Sequence, residues 1–254
     1  MRAYDDLGHP VDLDGSPRRV VSLVPSLTES IASTCPEVLV GATDWCTRPP
    51  GLSVARVRGT KNPDRRAVEA LRPDLVVANR EENRELDVRR LREAGVPVWV
   101  TDVGSVPGAL DSLERLFGSV LGCGPPDWLP AARDLWNGPL PEPRATVAVP
   151  IWRDPWMVVG GGTFTGDVVR RLGLANAFTA QDRYPQVDLG EIDRDRVDLV
   201  LLPDEPYVFT ADDGPEAFAT ARTVLVSGRL LTWYGPSLLD AHRDLTAALD
   251  AALA

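Results

Sequence analysis

Short, β-branched apolar runs alternate along the chain with stretches whose apolar residues recur every three or four positions. Residues 20–24 (Val-Val-Ser-Leu-Val) predict a buried strand. Ser26-Leu27-Thr28-Glu29 follows with the form of a capping box, which predicts that a helix opens there. Residues 38–42 predict a second strand, 65–71 a helix, 75–78 a strand, 85–94 a helix closed by Gly95, and 98–101 a strand. The pattern then returns. Residues 146–149 predict a strand, 165–172 a helix before Gly173, 199–202 and 223–226 two strands, and 237–253 an Ala/Leu-rich helix. Such alternation implies α/β architecture with mainly parallel sheets covered on both faces.

The two halves correspond. Pro73-Asp74-Leu75-Val76-Val77 resembles Val197-Asp198-Leu199-Val200-Leu201, 124 residues later, and Asn79-Arg80-Glu81-Glu82 matches Pro203-Asp204-Glu205-Pro206 at the same offset. This predicts two Rossmann-like lobes, residues 1–103 and 143–254. The segment 104–142 reads as a helical linker: a helix over 107–121, a break at Gly122-Cys123-Gly124-Pro125-Pro126, and a second helix to about Trp136. A ligand cleft lined by both lobes follows, because open α/β sheets bind ligands beyond the carboxyl ends of their strands.

Charge narrows the partners. A formal charge of −10 repels phosphate backbones and anionic lipid, so neither nucleic acid nor a membrane surface is expected as a partner. No apolar stretch approaches the roughly 20 residues of a membrane span. The first ten residues lack the basic start and apolar run of a secretory signal. The expectation is cytoplasmic placement, with an exported protein whose leader has been removed as the alternative. The three cysteines, Cys35, Cys46 and Cys123, lack metal-ligand spacing and read as buried thiols, a Cys35–Cys46 bridge being the alternative. No metal site and no cofactor are expected.

Signatures of catalysis fail. The two histidines, His9 and His242, lie in a terminal turn and the last predicted helix, and no Gly-x-Ser-x-Gly or His-Glu-x-x-His is present. Gly160-Gly161-Gly162-Thr163-Phe164-Thr165-Gly166 has phosphate-loop spacing from Gly161 to Gly166, but Asp167 stands where such a loop needs Lys. A dinucleotide fingerprint starting at Gly160 fails at Thr165. A tight turn or a ligand-facing backbone is the expectation there. The stronger signal is aromatic. Of seven tryptophans, Trp45, Trp152, Trp156 and Trp233 follow predicted strands, as does Tyr234, and Tyr184 lies in a polar loop. A set of rings at strand ends suits a bulky, mostly apolar ligand. Glu81 and Glu82 should sit near the same site. An anionic chelate would instead gather cations, for which Arg48, Lys61, Arg80 and Arg153 are the candidates.

Residues Val20-Val21-Ser22-Leu23-Val24-Pro25-Ser26-Leu27-Thr28-Glu29, Arg72-Pro73-Asp74-Leu75-Val76 and Gly95-Val96-Pro97-Val98, with Asp5-Asp6-Leu7-Gly8 at the start, carry a family resemblance. The chain resembles, over nearly its whole length, the periplasmic substrate-binding proteins for cobalamin and ferric siderophores, whose two lobes are joined by a backbone helix. Within that family it is most similar to the cobalamin-binding branch. The resemblance implies a non-catalytic, monomeric binding protein for a corrinoid or similar bulky metal chelate, of the kind that serves ABC transporters. A ferric siderophore or heme receptor is the alternative, and a cytosolic enzyme on the same scaffold the second. By motif position Trp45 falls on a ligand-facing Tyr of that branch, Tyr184 on a ligand-facing Trp, Trp156 near a ligand-facing Phe, and Trp233-Tyr234 on an aromatic loop by the corrin. Thr60 and Asn79 fall where cobalamin binders carry Trp. The branch docks on its transporter through one carboxylate per lobe, and here those positions read Arg66 and Gly190, with Asp64 and Glu191 close by. Productive docking on a cobalamin importer is therefore not expected.

Overall fold

The computed structural model describes residues 1–254, and the chain divides into two compact units. The first gathers residues 1–103, 110–130 and 234–236; the second gathers 104–109, 131–233 and 237–254. The segment 104–142 is thus shared between the units. No helix is long and apolar enough to cross a membrane.

In the first unit five strands form one parallel sheet in the spatial order Ala55–Arg56, Leu39–Ala42, Val20–Ser22, Leu75–Asn79, Val98–Thr101. Counted along the chain this is 3-2-1-4-5, the doubly wound order. Burial on both faces explains why the central strands read as unbroken apolar runs: every residue of Leu75–Asn79 is buried. Val21, Val76, Ala78, Val98 and Val100 meet Val68 of the helix Arg65–Ala70 and Val88 and Leu91 of the helix Glu85–Glu93 in one core cluster.

In the second unit four parallel strands lie in the order Ala175–Asn176, Thr146–Ala148, Leu199–Pro203, Arg222–Val226, or 2-1-3-4 along the chain. The helix Phe164–Arg171 is opened by Thr163, whose side chain accepts from the Gly166 N–H. The last helix is Ser237–Leu253. Both units are therefore α/β with parallel sheets, as the alternation predicts.

Two local expectations are corrected. Ser26 does not cap a helix. The helix Pro25–Thr34 starts one residue earlier, with Val24 as N-cap and no side-chain cap. Pro25 at the first helical position brings its fixed φ and lacks a donor that would need a partner, so Ser26 and Glu29 fall inside the first turn. A capping box occurs instead at Asp188 and Glu191, opening the short helix Leu189–Ile192. The second correction concerns the helix predicted over 107–121. It is regular only over Val106–Arg115, then widens into π-helical turns at Leu116–Leu121 and stops at Gly122, whose φ of 70° is left-handed.

Candidate functional site

A doubly wound sheet opens a crevice where the strand order reverses, outside the carboxyl ends of its strands. In the first unit that point lies between Val20–Ser22 and Leu75–Asn79. Asn83 ties the two together: its Nδ2 donates to the carbonyls of Leu23 (3.2 Å) and Thr60 (3.0 Å), while its Oδ1 accepts from the Asn79 N–H at 2.8 Å. Asn79, expected to face ligand, is buried and occupied. Its Nδ2 donates to the Thr101 carbonyl (3.2 Å) and hydroxyl (3.1 Å), and its Oδ1 accepts from the N–H groups of Glu81 and Glu82. The Asn79 side chain thus shapes this turn. Lys61 donates to the Glu81 carbonyl, and Thr60 and Glu81 are half-buried beside it. Trp45, following Leu39–Ala42, is 67% exposed. Its indole nitrogen would lie 3.2 Å from a Cβ at Gly59, so the ring edge rests against that glycine. Tyr234 is buried in the same unit, its hydroxyl 3.4 Å from that of Thr101, and burial pushes its phenol up.

In the second unit the order reverses between Thr146–Ala148 and Leu199–Pro203. Two segments leave the carboxyl ends there. One is the hairpin of Pro150–Trp152 and Met157–Val158. The other is the loop from Asp204 to Val208, and they meet through Trp152 and Tyr207, packed edge to face at 5.6 Å. Trp152 is 46% and Val208 62% exposed. Tyr207 is held from behind, its hydroxyl donating to Asp213 at 2.7 Å. Tyr207 and Val208 were not singled out from sequence, although the match of Asp204-Glu205 to Arg80-Glu81 marks the loop that carries them.

Of the other expected rings, two are buried and one is half-buried. Trp156 is buried, stacked on Phe209 at 6.1 Å and met edge-on by Phe218 at 5.4 Å, within a cluster that includes Ala148, Val158 and Phe178. Trp152 ends the first strand of the hairpin, whereas Trp156 lies in its turn and packs into this cluster. Trp233 is buried as well, under the Arg229 guanidinium 5.8 Å from its ring. Tyr184 is half-buried.

Three of the four candidate cations, Lys61, Arg80 and Arg153, are engaged. Arg80 pairs with Asp102 at 2.7 Å. Arg153 lies 5.4 Å from the Trp156 ring and pairs with Asp213 and with Glu216, the latter at 2.6 Å. Arg48 is exposed. No group of three or more His, Cys, Asp or Glu side chains is arranged to hold a metal ion. The glycine run serves close backbone approach: a Cβ at Gly160 or Gly161 would stand 2.4 Å from the carbonyl of Gln181 or Thr179, and Asp167 is buried against arginines.

Glu205 carries a pH-dependent signature. Burial pushes its carboxyl up, the hydrogen bond from Trp233 offsets part of the rise, and Asp204 adds to it. Because the folded value lies above the unfolded one, the folded state holds this proton more tightly. That contribution to stability is complete below the unfolded carboxyl range and is lost as pH rises through the folded value. Glu205→Gln, which keeps an acceptor for Trp233, is expected to stabilise the protein more at pH 7 than at pH 4 in denaturant titrations. An equal effect at both would show that Glu205 titrates as it does in the unfolded chain.

Asp64 and Glu191 are used as helix caps. Asp64 accepts from the Ala67 N–H at 3.1 Å, and Glu191 accepts from the Asp188 N–H at 3.1 Å. The cysteines carry no disulfide, and Cys46 lies between Thr28 and Thr43 instead of beside Cys35.

No family model matches the chain. It is 28% identical over 192 residues, 72% of its length and 71% of the relative's, to the vitamin B12-binding protein of Salmonella paratyphi A. Among solved structures it resembles the periplasmic vitamin B12 binding protein BtuF of Vibrio cholerae, with a TM-score of 0.73 at 18% identity over 93% of this chain and 98% of the other. It also resembles the periplasmic heme-binding protein RhuT of Roseiflexus sp. RS-1, with a TM-score of 0.75 at 21% identity over 94% of this chain and 100% of that one. The chain is thus related in sequence to vitamin B12-binding proteins and shares the fold of periplasmic binding proteins for vitamin B12 and heme. Cytoplasmic placement finds no support among these relatives, since the structural neighbours are named as periplasmic.

Proposed function

We propose that this protein is a non-catalytic substrate-binding protein for a corrinoid or a similarly bulky, mostly uncharged metal chelate, acting on the exported side of the membrane. The observation that carries the reading is that each unit presents an exposed tryptophan at the carboxyl ends of its own parallel sheet, Trp45 in one and Trp152 in the other. Large rings left in water at such positions offer a broad apolar contact at low entropic cost. The relationship to vitamin B12-binding proteins points to the same ligand class. Against a carboxylate-rich siderophore stands the engagement of Arg80, Arg153 and Lys61 by groups of the protein itself. Docking on a vitamin B12 importer is not part of the reading. Arg66 and Gly190 stand at the family's docking positions, and Asp64 and Glu191 are engaged as caps.

Trp45→Ala and Trp152→Ala are each expected to weaken corrinoid binding by about 10–100-fold, roughly 1.4–2.8 kcal/mol. Their exposure predicts little loss of stability. Isothermal titration alongside thermal melts checks both, and unchanged affinity in both variants would remove these rings from the site.

A further inference from the structure

Trp45 stands at the tip of a turn that is tied at both ends. The Cys46 N–H donates to the Thr43 carbonyl at 3.1 Å, which closes a β-turn with Asp44 and Trp45 as its central residues. One guanidinium closes the same turn a second time. Nη1 of Arg56 donates to the carbonyls of Thr43 and Cys46, each at 2.9 Å, and its Nη2 donates to the Leu52 carbonyl at 3.1 Å. Arg56 ends the strand Ala55–Arg56, which pairs with Leu39–Ala42, so the turn is fastened to the sheet from which it emerges. The Asp44 N–H reaches the following hairpin, donating to the Arg58 carbonyl at 2.8 Å. Both ends of the turn are anchored inside the unit. Thr43 and Cys46 are wholly buried, and the Cys46 sulfur lies 3.0 Å from the Thr28 hydroxyl and 3.1 Å from that of Thr43. The indole alone is left in water, with its edge against Gly59.

We propose that Arg56 is a positioning residue of the ligand site: by clamping the turn it holds the Trp45 ring in the orientation in which the ring meets the ligand. A ring on a loose loop gives up backbone and rotamer freedom when a ligand orders it, and that loss subtracts from affinity. Here the loss is already met in the free protein. Arginine suits the task because its donors lie in one rigid plane, which fixes three carbonyls at set angles. A lysine ammonium is a point charge on a flexible stem and fixes no such plane. The effect on affinity rests on the proposed binding function, whereas the effect on the ring itself does not.

The test uses the full chain with and without ligand. Arg56→Met keeps the stem and removes the donors, and Arg56→Lys keeps the charge without the fork. The protein is labelled with fluorotryptophan, and the fluorine NMR signal missing from Trp45→Phe is that of Trp45. Without ligand, both Arg56 variants should move this signal towards its position in the denatured chain and narrow it, while the other tryptophan signals stay. In cobinamide titrations Arg56→Met should weaken binding by about 3–10-fold, and not measurably when Trp45 is already Ala. Arg56→Lys should fall between Arg56→Met and the wild type. An unmoved Trp45 signal, movement of every tryptophan signal in both variants, or an equal loss of affinity with and without Trp45 would overturn the proposal. A moved Trp45 signal in a protein whose wild type binds no corrinoid would support the clamp and refute the binding function instead.

Discussion

Trp156→Ala is expected to destabilise the second unit by about 3–5 kcal/mol, the usual range for removing a buried aromatic side chain. The indole stacks on Phe209, meets Phe218 and carries the Arg153 guanidinium on its ring. Its loss leaves a void between the hairpin and the loop behind Tyr207. Guanidinium titration monitored by circular dichroism checks the size of the effect. Corrinoid affinity of the folded fraction should change far less than in Trp152→Ala. A variant of unchanged stability and lost affinity would mean that Trp156 meets the ligand directly.

Asp167→Ala is expected to cost a comparable 3–5 kcal/mol, for a different reason. The carboxylate is 6% exposed and accepts from Arg171 at 2.8 Å, Arg170 at 2.9 Å and the Val106 N–H at 2.9 Å. Arg171 is itself 12% exposed and also donates to the Trp136 carbonyl. Removing the carboxylate leaves one buried cation and one buried N–H without their acceptor. Burial pushes the Asp167 carboxyl up, but Arg171, the Val106 N–H and Arg170 together outweigh it and hold the group below its ordinary value. With the folded value depressed, this stabilisation is complete above the unfolded carboxylate range and is lost as pH falls through the folded value. The stability gap between wild type and Asp167→Asn should therefore narrow in acid. A gap that is constant with pH would assign the loss to packing alone.

Asp167 shows what the sequence could and could not convey. After the Gly-rich run, Asp167 stands where a phosphate loop needs Lys, and spacing alone argued against such a loop. Nothing in spacing disclosed that the same Asp gathers two arginines and the start of another helix, since those contacts join distant parts of the chain. The central strands were legible because burial on both faces leaves unbroken apolar runs, whereas Ala55–Arg56 and Ala175–Asn176 have only two residues each and no period to detect. The internal match at offset 124 pointed to the loops at both strand-order reversals. Which aromatic faces water was not legible. Trp152 and Trp156 lie four residues apart, one at the end of a hairpin strand and the other in the turn, and only the folded chain leaves the first in water and packs the second against Phe209 and Phe218. At Asn79, position alone suggested a ligand contact, while the structure spends one end of its amide on the turn and the other on Thr101 of the neighbouring strand.

The most direct measurement is a titration of the purified protein with cobinamide, cobalamin, heme and a ferric siderophore, following tryptophan fluorescence. With Trp45 and Trp152 exposed at the carboxyl ends of the sheets, saturable quenching by a corrinoid is expected, with Kd below about 100 μM, roughly 5.5 kcal/mol or more of binding free energy. The bound corrinoid should be recovered chemically unchanged. Absence of binding by every chelate, or conversion of the bound ligand into a new product, would contradict the account.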